Sequence, residues 1–304
     1  MNYFPKNAEE ISLLKFIAIY QYISVNDAKY FFSTNKYYRK RITRLVESGY
    51  LKRNRLTLML GEMGISFIKT YGYEYNPINR NTKYIPRLLC ISNVGAYYNK
   101  SENVKFTPSI SIKDKETITV KSRKFIGMLD INGIEYLTYY ISKNRDNRYI
   151  MSVVYDIQKE QFSDNIIVLV EEGVKLNKNN FTFGKNQVLI IKDTEENRKR
   201  MQYINSIRWS DVIRNTYWTK LELAEYRFCD YTDHKHKFVS YFNWFYDTEK
   251  VSRLKQFLEV NKNRNADVIC PIELKDEIKK ELPKANYSII DLDKYVDLKR
   301  NLYG

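Results

Sequence analysis

Residues 24–60 constrain this chain most, because three different local signals follow one another there without a gap. Ser24–Phe32 has the length of a short helix, and Ser33-Thr34 ends it and opens the next. Asn35–Ser48 repeats Tyr38, Ile42, Leu45 and Val46 at helical spacing, so one side of that helix is apolar. Gly49 stands where a left-handed residue closes a helix. Tyr50–Leu60 then reads as a tight ribbon with Arg53, Asn54 and Arg55 at its tip. The side of 35–48 away from the apolar one gathers Lys36, Lys40, Thr43 and Arg44, with Tyr37 and Arg39 flanking them.

A helix pair followed by a basic hairpin is the pattern of a winged helix-turn-helix. A helix that buries one face and offers cations, a hydroxyl and an aromatic tip on the other suits the major groove of duplex DNA. The wing Arg53–Arg55 would hold phosphate or enter the minor groove. An ordinary solvated basic helix would carry similar charges; the wing and the preceding helices favour the DNA reading. Double-stranded DNA is therefore the expected partner, with Lys36, Tyr37, Arg39, Lys40, Thr43, Arg44, Arg53, Asn54 and Arg55 as its expected contacts.

Charge points the same way. The chain carries +15 over 304 residues, and a basic protein of this size usually meets a polyanion. Residues 1–86 hold 14 Lys and Arg against 6 Asp and Glu, which puts the polyanion site near the N-terminus. The 27 Tyr say little, since a low-GC genome inflates Tyr, Asn and Lys together. Cys90, Cys229 and Cys270 are odd in number and far apart, so a reducing cytoplasm is expected rather than a disulfide framework. No signal-peptide pattern is read at the N-terminus, and the longest apolar run, Ile166–Val170, is far too short to span a bilayer. No membrane partner is expected.

Before the central stretch, Ala8–Tyr22 reads as a helix with Asn7 as N-cap and Glu9 and Glu10 in its first turn. Ser24 is the expected cap of the next helix, with Asp27 as its capping-box partner. After the ribbon, Glu62–Tyr71 reads as a helix ended by Gly72, and Gly61 stands where winged-helix regulators often have a capping Thr. Residues 73–85 have no period and read as a linker; Pro86–Tyr98 reads as a helix.

Beyond it, Lys105–Ile112 and Thr117–Val120 read as strands, and Phe125–Ile131 and Ile134–Ile141 as a hairpin about Asn132-Gly133. Arg148–Phe162 and Glu195–Ile204 read as helices, Asn165–Val170 and Gln187–Ile191 as buried strands. The last hundred residues repeat that order: strands Leu221–Phe228 and Lys237–Phe245 about a turn Asp230–Lys235, helix Thr248–Asn261, strand Asp267–Cys270, helix Ile272–Glu281, strand Ser288–Leu292. The expected fold is thus α/β (α+β): a winged helix-turn-helix over 1–72, a linker over 73–85, an α/β domain over 86–205 and a second, degenerate copy over 206–304.

The middle layout suggests a degenerate restriction-endonuclease-like sheet. Such a site needs an acid at one strand end and an acid-x-Lys on the next strand, to hold a divalent cation and activate water. Asp130 fits the first place, but Ile134–Ile141 contains no such pair, and Glu135 lies next to the turn. A metal-dependent nuclease is therefore the lesser alternative, and no enzymatic activity, metal or other cofactor is expected. His234-Lys-His236 lacks the central hydrophobe of a nickase motif. The same histidines with Cys229, Asp230 and Asp233 look like a polar turn rather than the spaced ligand pairs of a zinc site. No phosphate-binding loop and no nucleophile elbow occur.

With these residues in place, the chain resembles the replication-relaxation family of plasmids, phages and integrative elements. The resemblance runs over about residues 8–170: Lys40–Leu51 (KRITRLVESGYL), the helix around Asn93-Val94, Phe125–Asp130 (FIGMLD) and the strand Tyr136–Ile141. The family often has Pro-Asp at that Asp and an acid on the next strand; this chain has Leu129-Asp130 and no acid there. What the resemblance implies is a mobile-element DNA-binding protein acting in replication or its control. The α/β regions would then form a homodimer or recruit host replication or transcription proteins. A transcriptional repressor with a C-terminal sensor or dimerisation domain is the alternative.

Overall fold

In the computed structural model the chain is described over residues 3–5, 7–34, 36–75, 84–113, 124–159, 163, 165–174, 176, 187–202, 204, 222–224, 229–232, 238–241, 248–262 and 264–290. It is an α/β protein of two compact units, 1–140 and 141–304.

The first unit begins with α1 (Ala8–Tyr20), capped by Asn7, whose side chain accepts from the Glu9 amide at 2.9 Å. Gln21, at φ 72°, ends it two residues earlier than the apolar period suggests. Ile23–Ser24 is then drawn into a sheet as β1, opposite Leu58 and Thr57. That pairing shortens the expected helix 24–32 to a 3₁₀ turn, Asp27–Phe31. Ser24 and Asp27 still cap it reciprocally: the Asp27 amide donates to Ser24 Oγ at 2.9 Å, and Ser24 Oγ donates to Asp27 Oδ2 at 2.7 Å.

Helix α2 is Tyr38–Glu47. It closes as the sequence implies: Gly49, at φ 74°, donates to the Val46 carbonyl, and Tyr50 donates to Leu45, at 3.0 and 2.9 Å. Strands β2 (Leu51–Asn54) and β3 (Thr57–Leu60) pair antiparallel, and with β1 they form a three-stranded sheet in the order β1-β3-β2. Helix α3 (Glu62–Lys69) follows without a side-chain cap at Gly61. A β-carbon at Gly61 would stand 2.2 Å from the Gly49 carbonyl oxygen, so the Thr usual at this place has no room.

Helix α4 (Ile85–Tyr98) belongs to the same unit. Asn93 Nδ2 donates to Asp27 Oδ1 at 2.8 Å, and Tyr20 Oη donates to the Phe106 carbonyl at 2.8 Å, its ring filling the space that Gly95 leaves. The boundary expected at 73–85, of which 76–83 lie outside the described residues, thus falls within one unit of the structure. Strand β4 (Val104–Pro108) stops earlier than expected, because Pro108 has no N–H to continue the ladder; Ser109–Lys113 turns into the short helix α5. Strands β5 (Gly127–Ile131) and β6 (Ile134–Ile141) complete an antiparallel meander β4-β5-β6, joined by Asn132 (φ 53°) and Gly133 (φ 85°). The expected strand Thr117–Val120 lies outside the described residues.

In the second unit, α6 (Asn147–Gln158) is capped by Asp146, and β7 (Asn165–Val170) runs parallel to β8 (Gln187–Lys192). Helix α7 (Glu195–Met201) is capped by Thr194 and carries the buried Arg198–Asp193 ion pair. The C-terminal sheet is mixed, in the order β13-β12-β11-β10-β9. Its strands β9 (Glu222–Leu223), β10 (Tyr231–Thr232) and β11 (Phe238–Tyr241) are antiparallel, while β11, β12 (Ala266–Pro271) and β13 (Asn286–Ile290) are parallel. Tyr231-Thr232, expected in a turn, is strand because it finds a partner on both sides. Helices α8 (Thr248–Val260) and α9 (Ile272–Glu281) contribute Leu254, Leu258 and Ile278 to a core that also holds Phe238, Val268 and Cys270. Along the chain, the order of meander, helix and parallel strand pair occurs twice.

Candidate nucleic-acid interface

Helix α2 sorts its side chains by face. Tyr38, Ile42 and Leu45 are buried, and Val46 is half-buried. Arg39, Lys40, Thr43 and Arg44 are exposed, as are Lys36 and Tyr37 just before the helix. Every contact residue read from the sequence in this stretch therefore reaches the surface.

One α2 cation is withdrawn from that surface. Arg41 pairs with both acids of the first turn of α1: its Nη1 with Glu9 and its Nε with Glu10 Oε1 at 2.9 Å. Its guanidinium also lies 4.6 Å from the centre of the Phe32 ring. Tyr3 Oη donates to the Glu10 carboxylate at 2.7 Å, and the Ser33 amide donates to Glu9 at 2.6 Å. Burial and then the Glu10 hydrogen bond push the Tyr3 hydroxyl up to about 12. Glu9 is pushed up by burial, but the Ser33 amide and the Arg41 guanidinium outweigh that and hold it below the ordinary carboxylate value. A buried carboxylate such as Glu10, 2% exposed, is tolerable only when paired and hydrogen-bonded in this way. The network fixes the seat of α2 on α1.

The exposed groups are themselves partly preset. Arg39 Nε donates to Tyr38 Oη at 3.1 Å, which holds the guanidinium at the flank of α2. Thr43 Oγ1 donates to the Arg39 carbonyl oxygen at 3.0 Å.

On the ribbon, Lys52, Arg53, Asn54 and Arg55 are all exposed, and only Leu51 of β2 is buried. The tip is Arg55-Leu56 rather than Arg53–Arg55, since Arg53 and Asn54 pair with Leu58 and Thr57 in the ladder. Arg55 adopts φ 52°, its carbonyl accepts from Arg53 Nε at 2.8 Å, and Leu56 is 66% exposed. The Leu56 carbonyl accepts from the Val25 amide at 2.8 Å, which ties the tip to the start of the 3₁₀ turn. Lys52 is a further exposed cation of β2, beyond the contacts expected from the sequence. Its signal was the single buried Leu51 followed by polar residues, the mark of a strand leaving the core.

The second candidate site is assembled differently. Asp130 lies directly opposite Glu135 on β6 and opposite Lys105 on β4. Glu135 lies next to the turn, as its sequence position implies, yet the in-register hairpin brings it beside Asp130 without any slip. Asp130 Oδ1 accepts from the Gly133 amide at 2.8 Å, so this carboxylate caps its own hairpin. Asp230, just before β10 in the C-terminal sheet, is paired with Lys250. Cys229 is buried, its thiol pushed up to about 11 chiefly by that burial. Among the described residues, no group of three or more His, Cys, Asp or Glu could hold a metal ion, and no helix is long and apolar enough to cross a membrane. Asp233, His234 and His236 lie outside the described residues.

Compared with family models, curated proteins and solved structures, the chain matches none.

Proposed function

We propose that the chain is a sequence-specific duplex-DNA-binding protein of a mobile genetic element, acting in replication initiation or its control. In this reading α1 to α3 and the β2–β3 ribbon work as a winged helix-turn-helix, α2 reads bases and the ribbon holds the backbone. One observation carries it: α2 leaves Arg39, Lys40 and Arg44 exposed, with Lys36 exposed just before it, while its remaining cation, Arg41, is neutralised by Glu9 and Glu10. A merely solvated basic helix gives no reason for that sorting. The resemblance over residues 8–170 supports the mobile-element setting.

The test is selection of duplexes from a random library by the full-length protein, followed by binding at several salt concentrations. Lys40→Ala and Arg44→Ala should each lower the salt slope by about one if they contact phosphate, or cost about 1–3 kcal/mol if they contact a base. Thermal unfolding should not change, since both side chains are exposed. Unchanged affinity in both variants at physiological salt would remove α2 from the interface. Selected sites that map to a replication origin support the replication role; sites confined to a promoter would turn the assignment to a repressor.

A further inference from the structure

Thr43 lies midway along α2, on the exposed side, between Lys40 and Arg44. A hydroxyl carries one proton and two acceptor positions. The Thr43 proton is committed to the Arg39 carbonyl, one turn back. Because threonine is branched at Cβ, fixing the oxygen also fixes the methyl. Thr43 therefore offers a methyl group and an acceptor, and no donor.

The base pairs differ in what they present to such a group in the major groove. Guanine shows two acceptors and needs a donor, which Thr43 lacks. Cytosine shows a donor and no methyl. Thymine shows a C5 methyl, with its own O4 acceptor between that methyl and the adenine amino group. Only thymine therefore presents a methyl for the Thr43 methyl to meet, and that contact alone separates it from cytosine. The neighbouring cations suit other partners: Lys40 and Arg44 are donors only, and Arg39 is held at the flank by Tyr38. Building on the DNA-binding reading above, we infer that Thr43 determines specificity for a thymine in the site, recognising its C5 methyl through its own methyl group.

The experiment uses the full-length protein and the duplex it selects. Each thymine is replaced in turn by deoxyuridine, which removes the C5 methyl and nothing else. At one position the replacement should weaken binding about fourfold, the equivalent of about 0.8 kcal/mol for one buried methyl-sized group. In Thr43→Ser, which keeps the hydroxyl and loses the methyl, thymine and uracil should bind equally at that position. In Thr43→Val, which keeps the methyl, the fourfold difference should persist. Uracil tolerated at every position by the unaltered protein overturns the assignment with no variant needed. A difference that survives in Thr43→Ser, or vanishes in Thr43→Val, overturns it as well; the latter would point to a contact made by the hydroxyl instead. A library that yields no duplex overturns the DNA-binding reading itself, and is distinct from a bound duplex indifferent to uracil.

Discussion

The first unit contains two hairpins of the same local design, put to opposite use. Both β2–β3 and β5–β6 have two-residue loops, and both open them with a residue at positive φ: Arg55 at 52° and Asn132 at 53°. The β5–β6 ladder is interior, with Leu129, Ile131, Tyr136, Leu137 and Tyr139 buried. Its Asn-Gly turn takes the left-handed conformation at little strain. In the β2–β3 ribbon, Lys52 to Leu56 are exposed without interruption, and an arginine holds the strained position. A hairpin that packs can rely on its own turn and ladder. A hairpin that projects charge depends on its root, here Leu58 and Leu60 in the core, the Val25–Leu56 hydrogen bond, and the glycines of α3 and its entry.

Root and turn can be tested against each other. The largest effect belongs to Gly64→Ala, whose new β-carbon would stand 2.1 Å from the Tyr50 carbonyl oxygen. Overpacking against backbone that cannot retreat should destabilise the first unit by about 3 kcal/mol, read from denaturant melts, and displace the ribbon from α2. Gly133→Ala meets no atom within 4 Å and suffers only from φ 85°, so about 1–2 kcal/mol is expected. Equal losses in the two variants would break the comparison. A smaller change of opposite sign is expected of Arg55→Gly. It relieves a strained residue and should raise stability by up to about 1 kcal/mol and, if the proposed duplex contact is made at the tip, should lower the salt slope of DNA binding by about one. Loss of stability there would mean that the tip is not strained.

The smallest effect concerns pH. Because the folded-state value of Glu9 lies below its ordinary 4.5, the stability it contributes is present above pH 4.5 and is lost as pH falls through the lower folded value. Acid should therefore loosen the seat of α2 and, with it, the ribbon. Protection of the Ser33 and α2 amides against hydrogen exchange, taken relative to the intrinsic rate at each pH, should fall below pH 4.5, and Glu9→Gln should flatten that dependence. An acid slope identical in Glu9→Gln and the unaltered protein would separate Glu9 from the seat of α2.

Much of the fold was legible wherever the cause is local. Strands 134–141 and 165–170 and helix 272–281 follow their patterns to the residue, because runs of apolar residues between turn signals or caps leave few alternatives. Asn7, the Ser24–Asp27 pair, Gly49 and Asn132-Gly133 act on backbone groups within a few residues of themselves, and each does so as its chemistry requires. The exposed face of α2 belongs to the same class, since helical period alone separates Lys40, Thr43 and Arg44 from Ile42 and Leu45.

Tertiary structure decided what depends on residues distant in sequence. Period places Arg41 at the edge of the apolar face, but only the arrival of Glu9 and Glu10, 32 and 31 residues away, removes its charge from the surface. The strand 23–24 exists because β3 is there to pair with it, and a helical turn is given up in exchange. Gly61 reads as a weak cap in the sequence; in the fold it is the residue that lets the Gly49 backbone pass. Local chemistry determined the elements and which of their faces could meet water. Only long-range packing determined which charges on those faces remained free, because neutralising a charge takes a partner that no local pattern specifies.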